Sequence, residues 1–160
     1  SKYVKKQLGA SNKKYIALAD GGSPINDPAI NITNYVFDYM YYADNNSDLK
    51  AVYGYDEGAL RFHYEIFGIK EGRNASNVFD PKYYLEIYPD LKSAFGDNYA
   101  LAYNHFINYG IYEGRKSSNE FDVIRYINNY SDLEEAFGTN YSKALEHYVL
   151  CGRNENRIGN

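Results

Sequence analysis

The feature that most constrains the fold is a motif that occurs three times at a constant spacing. Its middle copy, residues 102–115, reads AYNHFINYGIYEGR, and related stretches occupy residues 60–73 and 144–157. The three motif histidines stand 42 residues apart: His63, His105 and His147. A repeat of this length indicates an array of similar units, each of which packs on its neighbours. About three units are the minimum for such a stack.

Each copy carries the start signals of a first helix. A Phe-Asp pair opens each copy, and the aspartate carboxylate can accept hydrogen bonds from the unpaired N–H groups of a helix N-terminus. The predicted capping residues are Asp38, Asp80 and Asp122. Pro81 follows the middle cap, at a position where proline is favoured. The spacing of Phe79 and Tyr84 predicts an apolar staple across the cap, and the other two copies repeat it.

Two further helices are predicted in each copy. A Ser-Asp-Leu or Pro-Asp-Leu triplet begins the second, and glycines in the left-handed conformation are expected to end it, at Gly54, Gly96 and Gly138. The third helix carries the motif, and we expect it to end at Gly68, Gly110 and Gly152. Polar and apolar residues do not alternate at period two. The predicted fold is therefore all-α: an array of three repeats, each of about three short helices, over residues 35–78, 79–120 and 121–160.

Residues 1–34 lie outside the repeat and are predicted to form an N-terminal cap or linker. Five lysines lie in the first 14 residues of this segment. They favour a solvated segment, with a basic arm that contacts an acidic surface as the alternative. The chain begins at Ser1 without a methionine or signal peptide, so we expect a processed piece of a longer protein.

Composition excludes several classes of function. The net charge is −4 and the isoelectric point about 5.4, so the basic surface that nucleic acids require is not expected. No apolar run approaches the roughly 18 residues that a membrane span needs. The chain has 20 tyrosines and no tryptophan, which suits thin cores and half-exposed binding surfaces. Cys151 is the only cysteine and replaces Phe67 and Tyr109 of the other copies, so a buried packing role is expected.

The three histidines are predicted to be structural. His105 shares one face of the third helix with Ala102 and Phe106, and His63 and His147 have the same register. A single zinc ion would need all its ligands within about 2.1 Å of it, whereas each histidine belongs to a different copy. No cysteine or second histidine is expected beside any of them. The sequence therefore predicts no metal site and no cofactor.

The arginines that end the motif, Arg73, Arg115 and Arg157, are predicted to bind carboxylates. Glu71 and Glu113 lie nearby, and Asp90 is a candidate on another helix. A bidentate pair of this kind would join neighbouring units. The alternative is that the arginines recognise anions or sugar hydroxyls.

Catalytic patterns are not found. The chain has no Gly-rich phosphate loop, no nucleophile elbow and no His-Glu-x-x-His motif. The recurring aspartates and glutamates are explained by helix capping and ion pairing. Asp20 and Asp27 lie among glycines and prolines, where they favour turns over a glycosidase pair. A protein without catalytic activity is expected.

The pattern Phe-Asp, Asp-Leu, Phe-Gly, His-Phe, Gly and Glu-Gly-Arg across residues 79–115 resembles tandem repeats of secreted and cell-surface bacterial proteins. The resemblance covers residues 37–157. It implies an extracellular or cell-surface location and a non-catalytic role, and it implies no particular ligand. The third copy departs from the pattern, because Asn156 stands where the other copies have the loop glycine, so we expect its loop to be remodelled as a terminal cap.

These observations predict a monomeric binding module of a larger secreted protein. Its expected partner is a cell-surface or cell-wall polysaccharide, because a repetitive surface gains avidity on a repetitive polymer. Sugar rings would stack on exposed tyrosines, for which the candidates are Tyr55, Tyr99, Tyr112 and Tyr141, with Arg73 and Arg115 nearby. The alternative is an array that binds a surface protein or serves as a spacer, in which the tyrosines belong to the core.

Overall fold

The computed structural model describes residues 30–160 and is helical there, which confirms the all-α prediction for this part of the chain. The only β-type pairing in this range is an isolated bridge between Ser118 and Phe121. Nine helices that follow the predicted pattern are α1 Tyr39–Asp44, α2 Ser47–Tyr53, α3 Glu57–His63, α4 Pro81–Ile87, α5 Pro89–Phe95, α6 Tyr99–His105, α7 Val123–Asn128, α8 Ser131–Phe137 and α9 Tyr141–His147. Within residues 30–160, no helix has the length and apolar character that crossing a membrane requires.

The predicted aspartate caps start α1, α4 and α7. The carboxylate of Asp38 accepts hydrogen bonds from the backbone N–H groups of Met40 and Tyr41, both at 3.1 Å. Asp80 and Asp122 cap their helices in the same way. The backbone N–H of each cap also donates to a carbonyl that follows the motif, that of Ala75 at 2.9 Å, Ser117 at 2.9 Å and Gly159 at 2.8 Å. The start and the end of each copy are thereby tied together.

The third helices end at the predicted glycine in the second and third copies and run further in the first. Each continues through one π-helical turn: Tyr64–Gly68, Phe106–Gly110 and Tyr148–Gly152. Gly68 has right-handed helical angles, with φ −61°. The left-handed residues come four positions later: Gly72 with φ 69°, Gly114 with φ 73° and Asn156 with φ 59°. The predicted ends at Gly110 and Gly152 are therefore confirmed, whereas the predicted end at Gly68 is wrong, because the helical segment Ile69–Glu71 follows it.

Close packing explains these three glycines. A Cβ atom added to Gly68, Gly110 or Gly152 would lie 2.1 Å from the hydroxyl oxygen of Tyr42, Tyr84 or Tyr126, respectively. Non-bonded carbon and oxygen atoms need more than 3 Å, so a side chain at these positions would displace the tyrosine. Glycine serves here to admit a neighbouring ring, not to turn the chain.

The glycines after the second helices have positive φ, as predicted, but their ψ differs from that of the left-handed helical region. Gly54, Gly96 and Gly138 have φ of 57°, 59° and 54° with ψ of −125°, −124° and −109°. These angles lie outside the left-handed helical region, so the predicted left-handed caps are wrong in ψ. Glycine is still favoured, because a positive φ is costly for residues with a Cβ atom.

The buried residues form two clusters. One contains residues of the first copy, and the other combines the second and third copies with Ile32, Val36 and Val78. Tyr103 packs against both clusters, and its ring lies 6.1 Å from that of Tyr64. Tyr42, Tyr84 and Tyr126 are the largest fully buried side chains. Each copy thus has a fully buried tyrosine ring at the same place in its core.

The end of the predicted N-terminal segment belongs to this core. Residues Ile32–Asn34 form a 3₁₀ turn, and Ile32 is buried in the second cluster. The five lysines of the segment lie outside the described residues, and so do Asp20 and Asp27. A further contact spans much of the chain: the guanidinium of Arg153 donates to Oδ1 of Asn77 at 2.5 Å.

Candidate functional site

A tyrosine–histidine hydrogen bond occurs at the same place in each copy. The tyrosine hydroxyl lies 2.9 Å from Nδ1 of the histidine for Tyr42 and His63 and for Tyr84 and His105, and 2.7 Å for Tyr126 and His147. The tyrosine comes from the first helix and the histidine from the third. These two helices are therefore joined by a polar contact that lies over the motif glycine.

Burial affects the protonation of two of these histidines. It lowers the pKa of His105 and lowers the pKa of His147 to about 4. In both cases the positive charge of the nearby arginine, Arg115 or Arg157, acts in the same direction. Burial also raises the pKa of Tyr84 and Tyr126. Burial thus favours the neutral form of both histidine–tyrosine pairs.

The motif arginines form bidentate ion pairs with aspartates of the second helices. Arg115 lies 3.1 Å and 2.8 Å from the two carboxylate oxygens of Asp90. Its Nε atom lies 3.0 Å from Glu113. Arg73 binds Asp48 and Glu71 in this manner, and Arg157 binds Asp132 and Glu155. The arginine of the first copy lowers the pKa of Asp48 to about 2.

These pairs correct one part of the sequence prediction. The aspartate and arginine of a pair are 25 residues apart and belong to one copy, so the expected link between neighbouring copies is wrong. The physical reason is that the chain folds back after the third helix and brings the arginine to the start of the second. A ligand that used Arg73 or Arg115 would have to compete with two carboxylates.

Two grooves occupy equivalent positions in the second and third copies. The first has a volume of about 370 Å³ and is lined by Lys82, Leu85, Glu86, Lys92, Asp97 and Tyr99. The second has about 300 Å³ and is lined by Ile124, Ile127, Asn128, Glu134, Gly138, Thr139 and Tyr141. Six residues of one groove correspond to six of the other at the 42-residue spacing. We call these the second-copy groove and the third-copy groove.

The tyrosines predicted to bind sugars have different environments. Tyr99 and Tyr141 line the two grooves and are half-buried, which corrects the expectation that they are exposed. Each packs against the left-handed glycine of the preceding copy: an added Cβ atom would lie 2.5 Å from the ring of Tyr99 at Gly72 and 2.9 Å from that of Tyr141 at Gly114. The sequence could not show this contact, because it forms between copies.

Tyr55 and Tyr112 are exposed, as expected, but line neither groove. The hydroxyl of Tyr55 donates to Asp44 at 2.5 Å, and the ammonium of Lys50 lies 4.9 Å from the centre of its ring. One face of the Tyr55 ring is therefore already in contact with a cation. The four predicted tyrosines therefore differ in environment: two line the grooves and two lie on the exposed surface outside them.

Both grooves combine an aromatic ring with hydrogen-bonding side chains; those of the second-copy groove carry both charges, and the only charged one in the third-copy groove is Glu134. In the second-copy groove Lys82 lies 5.7 Å from the ring centre of Tyr99, and Lys92 pairs with Asp97. In the third-copy groove Ile124 replaces Lys82, and Thr139 replaces Asp97. An aromatic face beside several donors and acceptors can hold a polar ligand that has one apolar face.

The structure also assembles side chains that sequence reasoning missed. One ring nitrogen of His147, Sγ of Cys151 and one carboxylate oxygen of Glu155 lie within 4.8 Å of one another. The expectation that no cysteine lies beside a histidine is therefore wrong in the third copy. The signal that could have shown it is the spacing of four residues between His147 and Cys151, which places these two side chains on one helix face. Cys151 is buried, as predicted.

Comparison with known proteins identifies no relative. No profile of a known family, no characterised protein and no solved structure matches the chain significantly. The resemblance to repeats of bacterial surface proteins, and the location and role that it implies, therefore stay predictions from the sequence.

Proposed function

We propose that residues 35–160 form an array of three repeat units and that this array is a non-catalytic binding module of a larger secreted protein. The module attaches that protein to a polysaccharide of a cell surface or cell wall. The observation that carries the proposal is the pair of equivalent grooves, each with one half-buried tyrosine and several hydrogen-bonding side chains.

Recurrent contacts support the array. The capping aspartate, the tyrosine–histidine bond and the arginine–aspartate pair each occur three times with closely similar geometry. Both partners of each contact belong to one copy. Contacts that hold one copy together and recur in the next are typical of repeat proteins.

The groove chemistry supports a glycan. A pyranose ring presents an apolar face, which can stack on tyrosine, and hydroxyl groups at its edge, which can bond to lysine, aspartate, glutamate and asparagine. Single grooves of this size are expected to bind weakly. Two grooves on one array would bind successive segments of the same polymer, and linking the sites raises the overall affinity.

The same contacts support a role without catalysis. Each motif histidine is bonded to a tyrosine, and each motif arginine to carboxylates. The capping aspartates of the first helices hold backbone N–H groups. These residues are used in structural contacts, and a catalytic acid or base needs a proton that it can exchange with a substrate.

The proposal can be tested by retention on purified cell-wall polysaccharides. The substitutions Tyr99→Leu and Tyr141→Leu keep apolar packing against the neighbouring glycine and remove the aromatic ring. Tyr109→Leu is the matched control, since Tyr109 is 63% exposed and lines neither groove. Each groove variant should bind several-fold more weakly, and the double variant should no longer be retained. A native protein that stays in solution on every polysaccharide, or a double variant that binds as well as the native one, would refute the proposal.

The second candidate, a protein-binding or spacer array, is favoured by an apolar surface on the first copy. Phe62 is 64% exposed and Ile66 is 43% exposed, and they lie four residues apart in one continuous helical stretch. Phe67, 50% exposed, and Val52, 73% exposed, belong to the same copy. Exposed apolar groups of this size are typical of protein contacts. If this surface carries the function, Phe62→Ser will abolish partner binding, whereas the groove variants will not.

A further inference from the structure

The end of the third motif brings three metal-binding side chains together. His147 and Cys151 are four residues apart in the helical stretch that contains the π-helical turn, and Glu155 lies in the turn that follows this stretch. Their ligand atoms lie within 4.8 Å of one another, and Nε2 of His147 is 3.9 Å from Oε1 of Glu155. An imidazole, a thiol and a carboxylate are the three protein ligands most often found on zinc.

A partner orients the imidazole. The hydroxyl of Tyr126 lies 2.7 Å from Nδ1 of His147. When Nδ1–H donates to this hydroxyl oxygen, Nε2 keeps its lone pair and points to the side of Glu155. Histidines that bind metals usually donate their other ring N–H to an oxygen, which fixes the ring orientation. Tyr126 supplies that oxygen here.

We propose that His147, Cys151 and Glu155 form a binding site for a divalent transition-metal ion of the zinc type. Zinc binds nitrogen and sulfur at about 2.0–2.3 Å, so ligand atoms around one ion lie roughly 3.5 Å apart. The present separations of at most 4.8 Å exceed this by up to about 1.3 Å, a difference that side-chain rotations can close. Glu155 has a half-exposed side chain and can make most of that movement. The thiol proton of Cys151 passes to solvent as sulfur binds the ion.

The ligand set selects the class of metal. Thiolate and imidazole favour zinc, cobalt and related ions, whereas magnesium and calcium prefer oxygen ligands alone. Glu155 also lies 3.4 Å from Nε of Arg157, whose guanidinium holds both oxygens of Asp132. Because Asp132 balances much of the arginine charge, Glu155 can turn towards a metal ion without leaving Arg157 unpaired.

The site is specific to the third copy. At the equivalent positions the first copy has His63, Phe67 and Glu71, and the second has His105, Tyr109 and Glu113. An aromatic ring stands in place of the sulfur in both, so histidine and glutamate remain without a third ligand of this set. The second copy therefore offers an internal control in the same molecule.

Titration of the full chain with Zn²⁺ and Co²⁺ under a non-chelating reductant tests the proposal. We expect one equivalent of zinc to bind, and the cobalt form to show the near-ultraviolet absorption of a thiolate–cobalt bond. Cys151→Ser should abolish that absorption. It should also weaken zinc binding by at least about tenfold, since even loss of a group that only orients a ligand costs that much.

Two further variants complete the test. Glu155→Gln, at a half-exposed position, should weaken zinc binding and keep the thiolate–cobalt absorption, and it decides the question if Cys151→Ser fails to fold by circular dichroism. Glu113→Gln changes the equivalent residue of the second copy and should leave binding unchanged. Failure of the native chain to bind zinc stoichiometrically, the absence of thiolate–cobalt absorption, or equal affinity of native and Glu155→Gln proteins would each overturn the proposal.

Discussion

The close approach of Tyr84 to Gly110 allows a double-mutant test of the core. A Cβ atom at residue 110 would lie 2.1 Å from the Tyr84 hydroxyl oxygen, more than 1 Å too close. Gly110→Ala is therefore expected to destabilise the protein by about 2 kcal/mol. This value combines an overpacking cost of up to about 3 kcal/mol with a gain of about 1 kcal/mol from the better helix propensity of alanine.

Removing the hydroxyl should relieve the overlap. Tyr84→Phe alone loses the hydrogen bond to His105 and is expected to cost about 1–2 kcal/mol. In the double variant the nearest ring carbon would lie 3.2 Å from the new methyl group, which is tight but possible with a small shift. The methyl group then occupies space that the hydroxyl has left. We expect the double variant to be more stable than the sum of the single effects predicts, by about 2 kcal/mol.

Urea denaturation followed by circular dichroism measures all four proteins of the cycle. Gly58→Ala is the matched control, because Gly58 is an exposed glycine of α3 whose added Cβ atom would meet only Asp56 at 3.6 Å. It should be neutral or stabilising by up to about 1 kcal/mol. Additive effects, within about 0.5 kcal/mol, would show that the hydroxyl does not determine the glycine and would refute this explanation.

Three other predictions follow from the same contacts. Arg115→Ala should lower the melting temperature and Arg115→Lys should restore only part of the loss, because lysine cannot bind both oxygens of Asp90; equal melting temperatures for the native and Lys variants would contradict this. Folding lowers the pKa of His105, so the unfolded chain binds the proton more readily than the folded one. The contribution of neutral His105 to the free energy of unfolding is therefore complete above pH about 6.5, the ordinary pKa of histidine, and is lost as the pH falls below that value. The free energy of unfolding of the native protein and of His105→Gln, measured across this pH range, shows the difference. Tyr103→Ala should weaken the packing between the two buried clusters and separate urea unfolding into two steps, whereas a single shifted transition would show that the clusters are joined mainly elsewhere.

The features that the sequence predicted well depend on local contacts. The carboxylates of Asp38, Asp80 and Asp122 accept hydrogen bonds from N–H groups two or three residues away, so these caps can be predicted from adjacent residues in the sequence. The partners of Arg115 were also anticipated, because charge and spacing restrict the choice.

The features that the sequence missed depend on contacts between distant residues. The sequence predicts the helix end at Gly110 but not the reason for glycine there, which is the hydroxyl of Tyr84 packed against it. Tyr99 was expected to be exposed, and its burial comes from Gly72 of the preceding copy. Cys151 replaces Phe67 and Tyr109 of the other copies, which predicts a packing residue, and the structure also places its thiol beside the imidazole of His147.

The contacts that recur inside each copy affect how the chain can change in length. The cap, the tyrosine–histidine bond and the arginine pair all lie inside one copy, so a duplicated segment of 42 residues would bring its own complete set. The position of Tyr103 differs, being Arg61 in the first copy and buried Leu145 in the third. Arg61 covers the ring of Phe37 at 4.8 Å, where Tyr103 instead packs against the preceding copy. Duplication of the middle copy would therefore lengthen the chain and leave the contact of Arg61 in the first copy and the buried Leu145 of the third unchanged.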